Sequence, residues 1–180
     1  FYAAAIESLL DEMWQSASEE TERVKHDIPE VPLDEYSYTH GKFVPLETAR
    51  LGRGWDIVPD WKPEGKARTR AGFVNVPMLY SNTPGSTFSF SFRGKSVGLF
   101  MACGPCSGII EYSIDGGKFQ KLDTYTRWSK NLYLPWLYVL ASELDADKRH
   151  TLVLRVSSDK NMDSKGTELV IRNMVVDSPE

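Results

Sequence analysis

The sequence predicts a mainly β protein, an antiparallel β-sandwich or jelly roll, with one α-helix at its N-terminal end. Roughly eight to ten short segments rich in β-branched and aromatic residues are separated by turn residues. The 180 residues are 41% hydrophobic, which is enough for one substantial core. Aromatic residues make up 12% of the chain, and large aromatic side chains suit the interior between two packed sheets.

The N-terminal helix is predicted from the spacing of its apolar residues. These recur at intervals of three and four, which places them on one helical face. The residues of this apolar stripe are Tyr2, Ile6, Leu9, Leu10, Met13 and Ala17. A lone amphipathic helix needs a partner, so we expect residues 1–18 to be the last helix of a domain that is otherwise missing. An uncovered stripe could also mediate a dimer.

Residues 19–40 are expected to link the helix to the β-domain. The stretch 18–27 is charged and poor in apolar residues, and 28–34 carries spaced prolines, as a semi-rigid linker does. We therefore place the β-sandwich domain at residues 41–177.

The first half of that domain shows four candidate strands. Segments 41–47 and 55–58 are short, and the second ends before Pro59. Segment 70–76 precedes Pro77 and is predicted as an edge strand, because proline cannot donate to a β-ladder. Segment 87–92 alternates strictly, so its three phenylalanines are expected to face the core.

Six further strands are predicted in the second half. They are expected at 96–102, 109–114, 118–122, 132–140, 149–156 and 167–176. Asp115 and Gly116 separate the second and third of these segments, and this dipeptide favours the positive φ angles of a tight hairpin turn. Segment 149–156 alternates apolar and polar residues, as expected for a strand with one buried face.

Charge and composition exclude several classes of function. The formal net charge is −4 with acids and bases interspersed, so there is no basic stripe for nucleic acid and no polybasic membrane anchor. No apolar run reaches the ~18 residues of a membrane span. The histidines lack a second ligand at metal-binding spacing, and we predict neither a metal site nor a cofactor.

Cys103-Gly104-Pro105-Cys106 has the letters of the thioredoxin active-site motif. Thiol redox chemistry would need a helix after the motif to stabilise a thiolate. A β-branched run, 109–114, follows instead, so we favour a tight loop between two strands. Cys103 and Cys106 could form a disulfide under oxidising conditions, and a thiol redox domain stays as the less favoured alternative.

Ser96 lies in Gly94-Lys95-Ser96-Val97-Gly98, which matches the nucleophile-elbow pattern of hydrolases. That elbow must join a strand to a helix, so that the serine is lifted onto a strained turn. Here the pattern joins two predicted strands, and we predict no nucleophile at Ser96.

Three tryptophans and one aspartate are the candidate carbohydrate-binding residues: Trp55, Asp60, Trp61 and Trp128. Sugar rings stack on exposed aromatic side chains, and carboxylates accept hydrogen bonds from hydroxyl groups. Trp61 and Trp128 lie beside proline or polar residues and are the better candidates for exposure. The alternative is that the tryptophans fill the core.

The chain resembles, over nearly all of its length, the C-terminal part of a group of bacterial SGNH/GDSL-family hydrolases. The matching stretches are 1–10, Gly52-Arg53-Gly54-Trp55, 92–100, 104–108, Ile110-Glu111-Tyr112-Ser113-Ile114-Asp115-Gly116-Gly117 and 150–156. The resemblance implies the last helix of an α/β/α catalytic domain, then a linker and a β-sandwich. It also implies a periplasmic or extracellular location, with the parent catalytic domain as partner.

The same resemblance implies that the parent is an esterase or acylhydrolase acting on carbohydrate esters. The family's Gly-Asp-Ser nucleophile block is absent from this sequence. We therefore expect a non-catalytic accessory domain that positions or holds a glycan. The alternative is a free-standing carbohydrate-binding module.

Overall fold

In the computed structural model, which describes residues 2–16, 30 and 34–178, the chain divides into two compact units, Phe1–Glu35 and Tyr36–Glu180. The first unit contains helix α1 (Tyr2–Gln15), none of whose side chains is buried. Ala17 and most of the predicted linker, residues 17–29 and 31–33, lie outside the described residues. Of the helices described, none is both long and apolar enough to cross a membrane.

The second unit is a sandwich of two antiparallel sheets, which confirms the predicted mainly β fold. Its strands are β1 (Gly41–Val44), β2 (Arg50–Leu51), β3 (Asp56–Trp61), β4 (Val76–Ser81), β5 (Thr87–Arg93), β6 (Ser96–Cys103), β7 (Ile109–Ile114), β8 (Gln120–Asp123), β9 (Leu134–Ala141), β10 (Arg149–Val156) and β11 (Leu169–Asp177). One sheet has the order β3-β4-β11-β6-β9, and β1 also pairs with β11. The other has the order β2-β5-β10-β7-β8.

The main core lies between the two sheets. Phe90 faces Leu152 and Phe88 faces Leu154 across the pair β5–β10, and all four side chains are at most 2% exposed. The alternation predicted for 87–92 and 149–156 is therefore confirmed. Burying each of these side chains contributes roughly 1.5–3 kcal/mol to the free energy of folding.

A second, smaller core lies on the opposite face of the six-stranded sheet. Met78 and Val170 belong to it, whereas their strand neighbours Leu79 and Ile171 belong to the main core. Successive strand residues face opposite sides, so the two clusters lie on opposite faces. Phe73, from a short 3-10 helix at Ala71–Phe73, packs into this second core. The irregular segment between β3 and β4 thus covers part of the sheet.

The strand predicted at 70–76 is wrong. The 3-10 helix occupies this region, and β4 begins only at Val76. Pro77 is tolerated inside β4 because it falls where the pairing with β3 shifts register, and the pairing with β11 begins at Leu79. Proline therefore marks an irregular position within a strand here and not its end.

The hairpin turn predicted at Asp115 and Gly116 is confirmed, with φ angles of 52° and 74°. His150, which is 5% exposed, is hydrogen-bonded to this turn. Its Nδ1 lies 2.7 Å from Oδ2 of Asp115 and its Nε2 lies 2.8 Å from the carbonyl oxygen of Asp145. Burial lowers the pKa of His150, but these two hydrogen bonds outweigh it and raise the pKa overall. The protonated ring can donate to both oxygens.

Asp147 lies three residues before His150 in the chain but is not among the hydrogen-bond partners of its ring. Both ring nitrogens of His150 are occupied by Asp115 and Asp145, and among the described residues no serine hydroxyl is a partner of the ring. This histidine therefore stabilises a turn of the sandwich.

Candidate functional site

Four strands of the six-stranded sheet begin or end at the same end of the sandwich. β4 ends at Ser81, opposite Leu169 at the start of β11. β6 ends at Cys103, opposite Leu134 at the start of β9. β11 and β6 are themselves antiparallel neighbours. Because neighbouring strands run in opposite directions, the loops attached to these four termini lie close together at the same end of the sheet.

The loop between β6 and β7 is fixed to the segment that precedes β11. The Glu168 amide donates to the carbonyl of Cys106 at 2.8 Å, and the Gly108 amide donates to the carbonyl of Glu168 at 2.8 Å. The Lys165 amide donates to the carbonyl of Pro105 at 2.9 Å. These backbone hydrogen bonds hold the two segments side by side.

Between these loops lies a cleft of about 670 Å³. That volume falls within the range of ordinary ligand sites, roughly 300–1,000 Å³. The cleft combines two phenol rings, two side-chain amides and a buried carboxyl: Tyr80, Tyr133, Asn82, Asn131 and Glu168. Within the described part of the chain, no group of three or more His, Cys, Asp or Glu side chains could hold a metal ion.

Glu168 is the buried carboxyl of the cleft, with 8% of its surface exposed. Burial raises the pKa of Glu168 to about 6, although the hydrogen bond that it accepts from the Tyr133 hydroxyl at 2.8 Å acts in the opposite direction. Burial and the nearby Glu168 carboxyl raise the pKa of Tyr80 to about 12 and raise the pKa of Tyr133 as well. Both phenols therefore remain hydrogen-bond donors at neutral pH.

The second core holds Tyr133 in place. Trp61 packs edge-on against the Tyr133 ring, with 5.2 Å between ring centroids and 76° between planes. On another side, the backbone of Gly104 approaches so closely that an added Cβ would lie 2.3 Å from the same ring. Glycine is therefore required at this position if the hydroxyl of Tyr133 is to reach Glu168.

The loop that carries Cys103 and Cys106 joins two strands, as predicted, and both cysteines are free thiols. The disulfide considered from the sequence is therefore not formed in this structure. Burial raises the pKa of Cys103 to about 12 and, together with Glu168, raises the pKa of Cys106. A redox thiol needs the opposite shift, so the geometry opposes thiol redox chemistry here.

The exposure predicted for Trp61 is wrong, since this side chain is only 6% exposed. The cause is a register shift between Val58 and Trp61, which adds one residue to β3 at Pro59–Asp60. The extra residue turns Trp61 to the same face as Val58, into the second core. A strand ending before Pro59 could not reveal this change of face.

The other predicted binding residues have different surroundings. Trp55 is 4% exposed and packs edge-on against Phe88 in the main core. Trp128 is 56% exposed, as predicted, with the Arg127 guanidinium 4.5 Å from its ring centroid. Asp60 is exposed and lines a depression of about 490 Å³ that shares Glu168 with the cleft. Of the four residues, only Asp60 and Trp128 offer a surface to a ligand.

Sequence reasoning did not find Tyr80, Tyr133 or Glu168. No motif links them, because they come from three segments far apart in the chain. One signal was available: Glu168 is a single carboxylate directly before an apolar run, a position where burial perturbs a titratable group. Its partners depend on strand order, which the sequence pattern alone does not provide.

No protein family model matches this chain, and no curated protein matches it significantly. Among solved structures, the fold is similar to that of a two-domain esterase (CEX) active on acetylated mannans, with a TM-score of 0.61 and 14% identity. The same esterase co-crystallised with mannopentaose matches with a TM-score of 0.60 and 15% identity. Each match covers 99% of this chain, which spans 46% and 45% of the two esterase chains.

Proposed function

We propose that this chain is the non-catalytic C-terminal accessory part of an SGNH/GDSL-type esterase that acts on carbohydrate esters outside the cytoplasm. The observation that carries the proposal is the similarity in fold to a two-domain esterase over 99% of this chain. This chain spans 46% of that esterase, which leaves room for a separate catalytic domain as its partner.

The local structure at Ser96 supports a non-catalytic role. Ser96 is 6% exposed and begins strand β6, where it pairs with Asp177 of β11. A serine nucleophile needs an exposed, strained turn and a base within hydrogen-bond reach. Neither His40 nor His150 has a serine hydroxyl among its described hydrogen-bond partners.

The contribution of this domain is to hold a glycan in the cleft. Sugar hydroxyls both donate and accept hydrogen bonds, and the cleft offers the Tyr80 phenol, two side-chain amide groups and the Glu168 carboxyl. Apolar faces of sugar rings pack on aromatic surfaces, which Tyr80 and the exposed Trp128 provide. A carbohydrate-binding module acting alone would use the same surface, so this alternative differs only in lacking the esterase partner.

The proposal is tested with the chain as it stands. We expect no hydrolysis of p-nitrophenyl acetate above the blank. We also expect the chain to bind members of an oligosaccharide array, and isothermal titration calorimetry would then measure the affinity. Trp128→Ala should weaken binding roughly threefold to tenfold if the indole stacks on a sugar. Trp14→Ala, at another exposed tryptophan in α1, is the control and should leave affinity unchanged. Ester hydrolysis that disappears in Ser96→Ala would overturn the non-catalytic role.

A further inference from the structure

Three lysines line the cleft. Among the residues that the structure describes, the amino groups of Lys66, Lys130 and Lys165 form no ion pair and no side-chain hydrogen bond. Other surface lysines do find partners, as Lys121 does with Asp159 at 2.6 Å. The three cleft lysines are therefore free to bind an anion.

The positive surface continues beyond the cleft. An adjoining depression of about 310 Å³ shares Lys130, Asn131 and Lys165 with the cleft and adds Arg127. Arg127 lies over Trp128, the exposed indole. The two hollows are thus contiguous, and Arg127 connects the second one to the exposed indole of Trp128. A contiguous pair of hollows can accept more than one unit of a linear chain.

The charge of this surface differs from that of the whole chain. The chain has a formal net charge of −4. The cleft and the depression are lined by four cationic side chains against three carboxyls, from Glu64, Asp163 and Glu168. Glu168 is buried and forms no ion pair among the described residues, so the lysines are not needed to neutralise it. The cationic side chains are therefore available to a bound anion.

We propose that the cleft and the adjoining depression bind an acidic oligosaccharide, with Lys66, Lys130 and Lys165 contacting its anionic groups and Glu168 accepting a hydrogen bond from a hydroxyl. This inference rests on the proposed glycan-holding function and specifies the class of glycan. The anionic groups are carboxylates of uronic acids or sulfate esters, since both present oxygen acceptors to an ammonium group.

Titration calorimetry on the full chain tests the inference. The probes are an oligogalacturonate, a sulfated oligosaccharide and a neutral manno-oligosaccharide of the same length, each at low and at high salt. We expect the acidic probes to bind more tightly than the neutral one, and to lose affinity with salt because exposed charges are screened. Comparison of the two acidic probes tells carboxylate from sulfate.

Lysine variants locate the site. The double variant Lys130→Ala and Lys165→Ala should weaken binding of the preferred acidic probe roughly fivefold to tenfold at low salt. Lys118→Ala, at an exposed lysine outside both hollows, is the matched control and should have no effect.

Equal binding of the neutral probe, with no effect of salt or of the double variant, would overturn the acidic class and leave the glycan-holding function standing. Binding of none of the sugars would overturn both. Equally tight binding of a single-stranded oligonucleotide of the same charge would show that the surface recognises charge alone, and would also overturn the inference.

Discussion

Glu168 has a measurable effect on stability because its carboxyl is buried. Its pKa in the folded protein is raised to about 6, so between pH ~4.3 and ~6 the native state holds more protons than the unfolded chain. The free energy of unfolding must therefore fall as the pH rises through this window. A shift of this size corresponds to ~2 kcal/mol at neutral pH.

Glu168→Gln should remove this loss of stability with rising pH, because the side-chain amide has a shape similar to that of the carboxyl group and does not ionise. Urea unfolding at pH 4.5, 5.5 and 7 is the measurement, and the variant should gain stability relative to the parent as the pH rises. Tyr133→Phe is the companion variant. It removes the hydrogen bond that lowers the pKa of Glu168, so the loss of stability with rising pH should be larger in this variant than in the parent. An identical pH dependence in Glu168→Gln and the parent would contradict the assignment.

At the scale of single elements, the loop 103–108 depends on one close approach. A Cβ at Gly104 would lie 2.3 Å from the Tyr133 ring, so Gly104→Ala must push the ring or the loop aside. We expect a loss of about 1–3 kcal/mol in the free energy of unfolding. Gly72→Ala is the control, because a Cβ there meets nothing within 4 Å, and its effect should stay within about 0.5 kcal/mol. Thermal unfolding of both variants is the measurement. Equal stability of Gly104→Ala and Gly72→Ala would contradict a tight contact between Gly104 and the Tyr133 ring.

Strands with one buried face were predictable, and the irregular ones were not. The prediction at 109–114 coincides with β7 (Ile109–Ile114), and that at 149–156 coincides with β10, because side-chain alternation is a local property. The region from 59 to 77 failed because its conformation is set by the second core. The bulge at Pro59–Asp60 and the 3-10 helix both serve to cover the outer face of the sheet.

At the scale of the whole molecule, the last strand is a central one. β11 pairs with β6 on one side and with β1 and β4 on the other, whereas β1, β3 and β9 each pair with a single strand of the same sheet. Amide protons of β11 and of β10, which is also paired on both sides, should exchange with solvent most slowly. Exchange measured by NMR should be fastest among the strands in β1, β2, β3, β8 and β9, which are each paired on one side only. Rapid exchange in β11 would contradict the observed strand order.

The cleft could not be predicted because it belongs to the assembled sheet. Tyr80, Tyr133 and Glu168 lie together only because the nearby termini of β4, β9 and β11 are at the same end of the sheet. The sequence did indicate a sandwich with an exposed Trp128, which contacts Arg127 of the adjoining depression. It did not provide strand order, and without that order no spacing along the chain brings these three side chains together.

A site built from distant segments exists only when the whole sandwich is folded. A sugar that occupies the cleft must therefore favour the native state of the entire unit, by an amount RT ln(1 + [L]/Kd), or about 2.7 kcal/mol at a concentration one hundred times Kd. The melting temperature consequently becomes a label-free reporter of occupancy. A library of glycans can be ranked by thermal shift before any affinity is measured.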